Sequence, residues 1–200
     1  MVIQRFFKRK MDFLVALILL TVLAFPFFVI ALLIKLESKG PVFFVQERVG
    51  KGGKIFKMLK FRSMVDKAST MGAGIEVAKD DPRITKVGKM LRRLRLDEAS
   101  QLWHVLLGEM SLVGPRPALP HQVAQYTALE KRRLEVKPGM GSMDMMKGGN
   151  LLSWKERIEL DIWYIDHWSL WLDLKIIVGT FLTVLSGKDE YGKEGIKDYQ

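Results

Sequence analysis

Phe13 to Ile34, FLVALILLTVLAFPFFVIALLI, is a run of 22 residues without a charge. As a helix it reaches about 33 Å, enough for the hydrocarbon core of a bilayer. It is too long for the apolar region of a secretory signal peptide, and no small-residue cleavage site follows it. The plain reading is a transmembrane anchor. Two features point elsewhere. Pro26 removes a backbone donor in the middle of the run and crowds the preceding turn, which predicts a kink. No Ser or Thr adjoins it, the nearest being Thr21. Both flanks are basic as well: Arg5, Lys8, Arg9 and Lys10 lie before the run, and Lys35, Lys39, Arg48, Lys51 and Lys54 after it. The positive-inside tendency then gives no direction across the membrane. A helix bent at Pro26 that enters and leaves by one face satisfies both flanks. Asp12, at the mouth of the run, is expected to pair with Arg9 or a later cation.

The 200 residues allow one soluble domain, or a smaller one with a membrane element. A formal net charge of +10 favours acidic partners: phosphates, nucleotides, anionic lipid or nucleic acid. The absence of cysteine excludes disulfides, thiolate metal sites and a cysteine nucleophile. His104, His121 and His167 are far apart and form no ligand spacing. The chain has no Walker loop and no zinc motif.

Ser38-Lys39-Gly40-Pro41 breaks the helical pattern. Val42 to Val45 and Ile55 to Phe61 read as two strands of a hairpin around the turn Gly50-Lys51-Gly52-Gly53. Lys51 and Lys54 read as a solvated edge. Lys60-Phe61-Arg62 sets two cations around a buried-looking aromatic. Residues 66–82 read as a surface loop, and Gly72-Ala73-Gly74 lacks the third glycine of a nucleotide fingerprint.

From Ile84 the pattern is helical, with Val87, Met90, Leu91 and Leu94 at three- and four-residue spacing. Then come Arg92, Arg93 and Arg95, immediately followed by Asp97 and Glu98. Successive helical residues point about 100° apart, so at most two of these arginines can serve one pocket. Asp97 has two readings: a cap for a second helix over Leu102, Val105 and Leu106, or a reactive carboxylate beside cations. In Gly114-Pro115-Arg116-Pro117 the prolines fix the backbone and hold Arg116 at low entropic cost, which suits a two-pronged phosphate clamp.

Residues 119–134 read as a charged helix ended by Pro138-Gly139. Met140 to Asn150, with three glycines and four methionines, reads as a flexible loop. Two further helices are predicted over Trp154 to Tyr164 and Trp168 to Leu185. Trp163, Tyr164, Trp168 and Trp171 suit either a membrane interface or a core.

Lys60-Phe61-Arg62-Ser63-Met64, Asp81-Pro82-Arg83-Ile84-Thr85, Leu96-Asp97-Glu98 and Met110 through Pro117 occur in the order found in bacterial sugar transferases. From about residue 5 to residue 190 the chain resembles their small, monotopic polyprenyl-phosphate phosphoglycosyl transferases. The resemblance implies a mainly α fold with a small β-hairpin (α+β), divided into a kinked re-entrant membrane helix over 1–37, a catalytic domain with amphipathic helices over 38–187 and a polar tail over 188–200. It implies transfer of a sugar phosphate from a UDP-sugar to polyprenyl phosphate, releasing UMP, through a covalent intermediate and with Mg2+ held by Asp97 and Glu98. Asp97 falls at the nucleophile and Glu98 at its dyad partner. Lys60, Arg62, Arg83, Arg92 and Arg116 fall at motif cations expected near phosphate. The implied location is the cytoplasmic face of a bacterial inner membrane, against its lipid, with no nucleic acid; a second copy of the chain is a candidate partner.

Two positions depart from the family pattern. Phe25 stands where a Ser commonly precedes the membrane proline, and Gly149 stands where an Arg is usual. The competing reading of the whole chain is a non-catalytic, membrane-anchored basic protein that binds anionic lipid or nucleic acid.

Overall fold

The computed structural model describes residues 2–71 and 81–186. The loop around Gly72-Ala73-Gly74 and the tail over 188–200 lie outside the described residues. The protein is mainly helical. Helix α1 spans Val2–Glu37. It is followed by strands β1 (Phe43–Val49) and β2 (Ile55–Phe61), helix α2 (Lys86–Arg93), a 3-10 turn over Leu96–Gln101, helix α3 (Leu102–Leu107) and strand β3 (Ser111–Val113). Next come α4 (Pro120–Ala124), β4 (Gly139–Gly141), α5 (Met143–Lys147), α6 (Trp154–Asp166) and α7 (Leu170–Ser186). The mainly α plan with a small hairpin is the one expected.

Helix α1 runs through Pro26 as one element. Asp12, Ala16, Leu20, Leu23, Phe27, Ile30 and Ile34 form its inward stripe, at three- and four-residue spacing. Ala16 sits in a core with Phe56, Met58, Leu102, Val105 and Met110. Ile30 and Ile34 pack with Phe61 and Leu91. The opposite face is apolar and bare: Val22, Phe25 and Phe28 are two-thirds or more exposed.

Polar contacts fix both ends of α1 to the same domain. Arg9 donates to the carbonyls of Val105 and Leu106 at 2.6 and 2.9 Å, capping the end of α3. Asp12 therefore does not pair with Arg9. Its buried carboxylate accepts from Ser111 Oγ at 2.7 Å and the Leu112 N–H at 3.3 Å instead. Lys8 reaches Asp173 of α7 at 2.6 Å. At the other end, Glu37 accepts from the N–H groups of Lys86 and Val87 at 2.6 and 3.0 Å, where α2 begins. The Thr21 hydroxyl donates to Leu17 O and so is not spent at the proline.

β1 and β2 pair antiparallel, with Phe44 opposite Lys60 and Arg48 opposite Phe56. Phe44, Gln46, Arg48, Phe56, Met58 and Lys60 therefore share one face. β3 and β4 form a short parallel pair. There Gly114 and Gly139 meet backbone to backbone: a Cβ on Gly139 would lie 2.0 Å from Gly114 N. This contact orders the segment after Met140, which is not a flexible loop but β4 and α5, with Met143 and Met145 buried. The charged helix expected over 119–134 is also broken. α4 stops at Ala124, and Thr127 and Glu130 cap a new turn through reciprocal side-chain bonds. The aromatic cluster divides: Tyr164 is buried and bonded to Asp173, whereas Trp163 and Trp171 face outward.

Gly139→Ala is expected to cost about 1–3 kcal/mol or more, since the clash is with backbone that cannot yield. Gly141→Ala, whose Cβ would meet its nearest neighbours at 3.6 Å, is expected to be nearly neutral. Denaturation midpoints of the two variants in detergent check this.

Candidate active site

The hairpin's two open edges are closed by the segments that carry the acidic pair and the proline-flanked arginine. Along β2, the Leu59 N–H donates to His104 Nε2 at 3.0 Å, and Ser100 Oγ donates to Leu59 O at 3.0 Å. His104 is one helical turn beyond Ser100, so both reach the same residue of the strand. Accepting through Nε2 requires the proton on Nδ1, which lies 2.6 Å from Glu109 Oε2. Along β1, the Val49 N–H donates to Ala118 O at 2.9 Å, and Arg48 Nη1 donates to Pro117 O at 2.9 Å. Glu98 and Arg116 thus arrive from opposite edges and meet over the face that bears Lys60.

Lys60 Nζ lies 2.6 Å from Glu98 Oε1, and Arg116 Nη2 lies 3.2 Å from the same oxygen. Burial alone would raise the Glu98 carboxyl. Lys60, Arg116 and Arg95 overcome it and hold Glu98 well below the usual carboxylate range. Burial draws the Lys60 ammonium down against the pull of Glu98.

Asp97 is different. It lies in the first turn of the 3-10 segment, whose N-cap is Arg95 in the left-handed region at φ 54°. Helix α3 has Gln101, not Asp97, at its N-cap and no side-chain cap bond, so Asp97 does not cap it. Asp97 Oδ1 is buried and has no hydrogen-bond partner among the described residues. Burial first, and Glu98 second, push its carboxyl above the ordinary value, while Lys60, Arg92 and Arg95 pull the other way. The adjacent carboxylates are therefore driven apart in acidity, Glu98 downward and Asp97 upward.

Of the cations read from the sequence, Lys60, Arg92 and Arg116 gather around the pair, with Arg95 beside them. Arg92 Nε donates to Ser63 Oγ at 2.9 Å, whereas Arg93 is exposed. The other two lie in structural roles. Arg62 is buried and donates to Lys39 O, Ser38 O and Ser38 Oγ at 2.6, 2.8 and 3.0 Å, closing the end of α1. Arg83 is bound to Asp81 and to the carbonyls of Ala68 and Met71. Arg48 was not singled out as a site residue. Burial and Arg116 draw its guanidinium down to about 10. The register of β1 against β2 places it on the face of Lys60.

Arg116 is supported from behind. Arg133 donates to Arg116 O at 3.3 Å and to the buried Asp161 at 2.8 Å, and it also bonds Tyr126. The Trp154 ring lies 5.1 Å from its guanidinium carbon. Gly149, at the family's usual arginine position, has φ 52° and follows Gly148 at φ 149°. The backbone here takes a path that glycine adopts without strain.

Residues 3–187 match the family model described as bacterial sugar transferase. The chain belongs to the bacterial sugar transferase family. It is 42% identical over 178 residues to an uncharacterized sugar transferase, EpsL, of Bacillus subtilis, covering 89% of this chain and 87% of the relative. It is 34% identical over 198 residues to the exopolysaccharide production protein ExoY of Sinorhizobium fredii, covering 92% and 88%. A UDP-glucose:undecaprenyl-phosphate glucose-1-phosphate transferase of Klebsiella pneumoniae is 43% identical over 193 residues. That alignment covers 92% of this transferase but 41% of the longer relative.

In this transferase, His104→Phe keeps a ring against Phe56 but leaves the Leu59 N–H without its acceptor. The expected cost is about 1–3 kcal/mol. His104→Gln, which can still accept, should recover part of it. Chemical denaturation of the three proteins under one condition measures the difference.

Proposed function

We propose that this enzyme transfers a sugar phosphate from a UDP-sugar to polyprenyl phosphate, with Asp97 as the nucleophile. The observation that carries this reading is the buried Asp97 oxygen without a partner, set among Lys60, Arg92 and Arg95. In the first step, Asp97 attacks the sugar-linked phosphorus. The bond to the bridging oxygen breaks, and UMP leaves with that oxygen. In the second, an oxygen of polyprenyl phosphate attacks the same phosphorus and releases Asp97. Dividing the transfer lets two unlike substrates use one site in turn. Lys60, Arg92 and Arg116 bind and orient the phosphates, and their charge favours the anionic transition state.

The donor set suits a magnesium ion. Mg2+ takes one or two carboxylates and fills its shell with substrate phosphates and water. Asp97 offers a buried oxygen with no other partner, and Glu98 adjoins it. Among the described residues no group of three or more His, Cys, Asp or Glu side chains forms a closed protein cage. Asp97 and Glu98 would hold the ion, which when bound neutralises charge on the diphosphate.

The grip on α1 supports an arrangement in which both ends of the helix lie on one side of a membrane. A spanning helix would place residues 8–12 and 34–38 on opposite sides of the bilayer. Both segments hold the same polar domain, which cannot pass through hydrocarbon. The reading is a re-entrant, monotopic helix whose bare face is in lipid and whose domain lies on the cytoplasmic face. Reactants with a lipid tail and a soluble nucleotide can meet there.

Asp97→Asn is expected to lower UMP release from a UDP-sugar, with polyprenyl phosphate and magnesium, by at least about 10³-fold. Retained release would remove Asp97 from the mechanism. Asp97 attacks only when ionised, so kcat/KM should fall on acidification with a limb above the ordinary aspartate value of ~4. An acid limb at or below that value contradicts the assignment. Topology is checked with single cysteines at Gln4 and Lys39, both exposed at the ends of α1. A membrane-impermeant thiol reagent should reach both from the same face, and labelling from opposite faces refutes the re-entrant path.

A further inference from the structure

Three cations and one shared carboxylate oxygen occupy the inner face of the hairpin. Lys60 and Arg116 both lie against Glu98 Oε1, at 2.6 and 3.2 Å. Arg48 approaches from β1. Its Nη1 is held by Pro117 O at 2.9 Å and its Nη2 by Gln46 Oε1 at 2.7 Å, so the guanidinium is fixed beside the Pro115-Arg116-Pro117 turn. Its Nε–H is buried and has no hydrogen-bond partner among the described residues. Arg48 is repelled by Arg116 and attracted by Glu98. Lys60 is repelled by both arginines and attracted by Glu98 and Asp97.

Burying like charges together is costly unless anions balance them. Here Arg48, Lys60 and Arg116 gather around the Glu98 carboxylate, more positive charge than that one carboxylate carries. The excess charge suits a ligand with more negative charge than one carboxylate. Glu98 already occupies the position between Lys60 and Arg116 that such a ligand needs.

We propose that Arg48, Lys60 and Arg116 form one diphosphate receptor, and that Glu98 is its resident counter-ion in the free protein, displaced when a diphosphate enters. The proposal rests on the reading of a nucleotide diphosphate-sugar as donor. It adds Arg48 as a phosphate-binding residue and gives Glu98 a role before the chemistry begins. The diphosphate takes over the hydrogen bonds of Lys60 and Arg116, and the unpaired Nε–H of Arg48 supplies a further donor. Glu98 is then released beside Asp97 at the moment the donor is bound.

The test is calorimetric titration of inorganic diphosphate into the full-length protein in detergent, with EDTA present to remove any contribution of metal held by Glu98. Glu98→Gln no longer competes and is expected to bind about tenfold more tightly than the unmodified protein. Arg48→Gln is expected to bind about tenfold more weakly. Asp97→Asn removes the neighbouring carboxylate without freeing Lys60 or Arg116, and its affinity should stay within about twofold. Unchanged or weaker binding by Glu98→Gln overturns the proposal. So does unchanged binding by Arg48→Gln, or tightening by Asp97→Asn equal to that of Glu98→Gln. Should Arg48→Gln fail to fold, Arg48→Lys, which retains the charge but loses the fixed Nε–H, must also weaken binding. Failure of the catalytic reading is separable: no UMP release from any UDP-sugar, with the binding order intact, leaves the receptor standing. UMP release without tighter binding by Glu98→Gln removes the receptor alone.

Discussion

A hairpin of two strands has two edges of unpaired backbone groups and little stability of its own. In this protein both edges are occupied. Ser100 and His104 take the N–H and C=O of Leu59 on one side, and the chain at Pro117-Ala118 takes Arg48 and Val49 on the other. The rest of the candidate active site depends on this closure. Asp97 and Glu98 stand just before Ser100, and Arg116 stands just before Pro117, so satisfying the edges also delivers the charged groups. Stability and site geometry are therefore the same set of hydrogen bonds.

The membrane helix enters the same structure. A free apolar helix would leave the soluble domain to position itself. Here α1 contributes one stripe to two cores and is tied by charged side chains near each end. Its remaining surface is too apolar for water. The helix that bears the bare apolar face is also a wall of the domain, which fixes Lys60 and Glu98 relative to that face.

Much of this was legible in the chain. The apolar run, the hairpin with its glycine turn, and the Asp97-Glu98 pair followed by a proline-pinned arginine all rest on local chemistry that neighbours do not overrule. Arginine was the difficult residue. Arg62 and Arg83 carry the same charge as Arg92 and Arg116, yet they satisfy backbone carbonyls and Asp81, respectively closing α1 and bracing the turns after β2. Sequence spacing does not tell a guanidinium that folds beside the acidic pair from one spent on structural partners elsewhere. Arg48 lay hidden for the opposite reason: only the register of β1 against β2 puts it on the face of Lys60. The segment after Met140 reads as loose because its order comes from Gly114 and Gly139, partners 25 residues apart in the numbering of the chain.

The sequence by itself determined which residue types could do the chemistry, and that the chain carries an apolar helix, a hairpin and the family's ordered motifs. These depend on composition and on contacts a few residues apart. Tertiary structure alone decided that both ends of the helix belong to one domain, that Glu98 shares its oxygen between Lys60 and Arg116, and that Asp97 Oδ1 stays without a partner. Those outcomes depend on burial and on distances between segments far apart in the chain. Two adjacent carboxylates of nearly equal intrinsic acidity become unlike only when folding brings Lys60 and Arg116 into hydrogen-bonding reach of Glu98 and leaves Asp97 Oδ1 without such a partner.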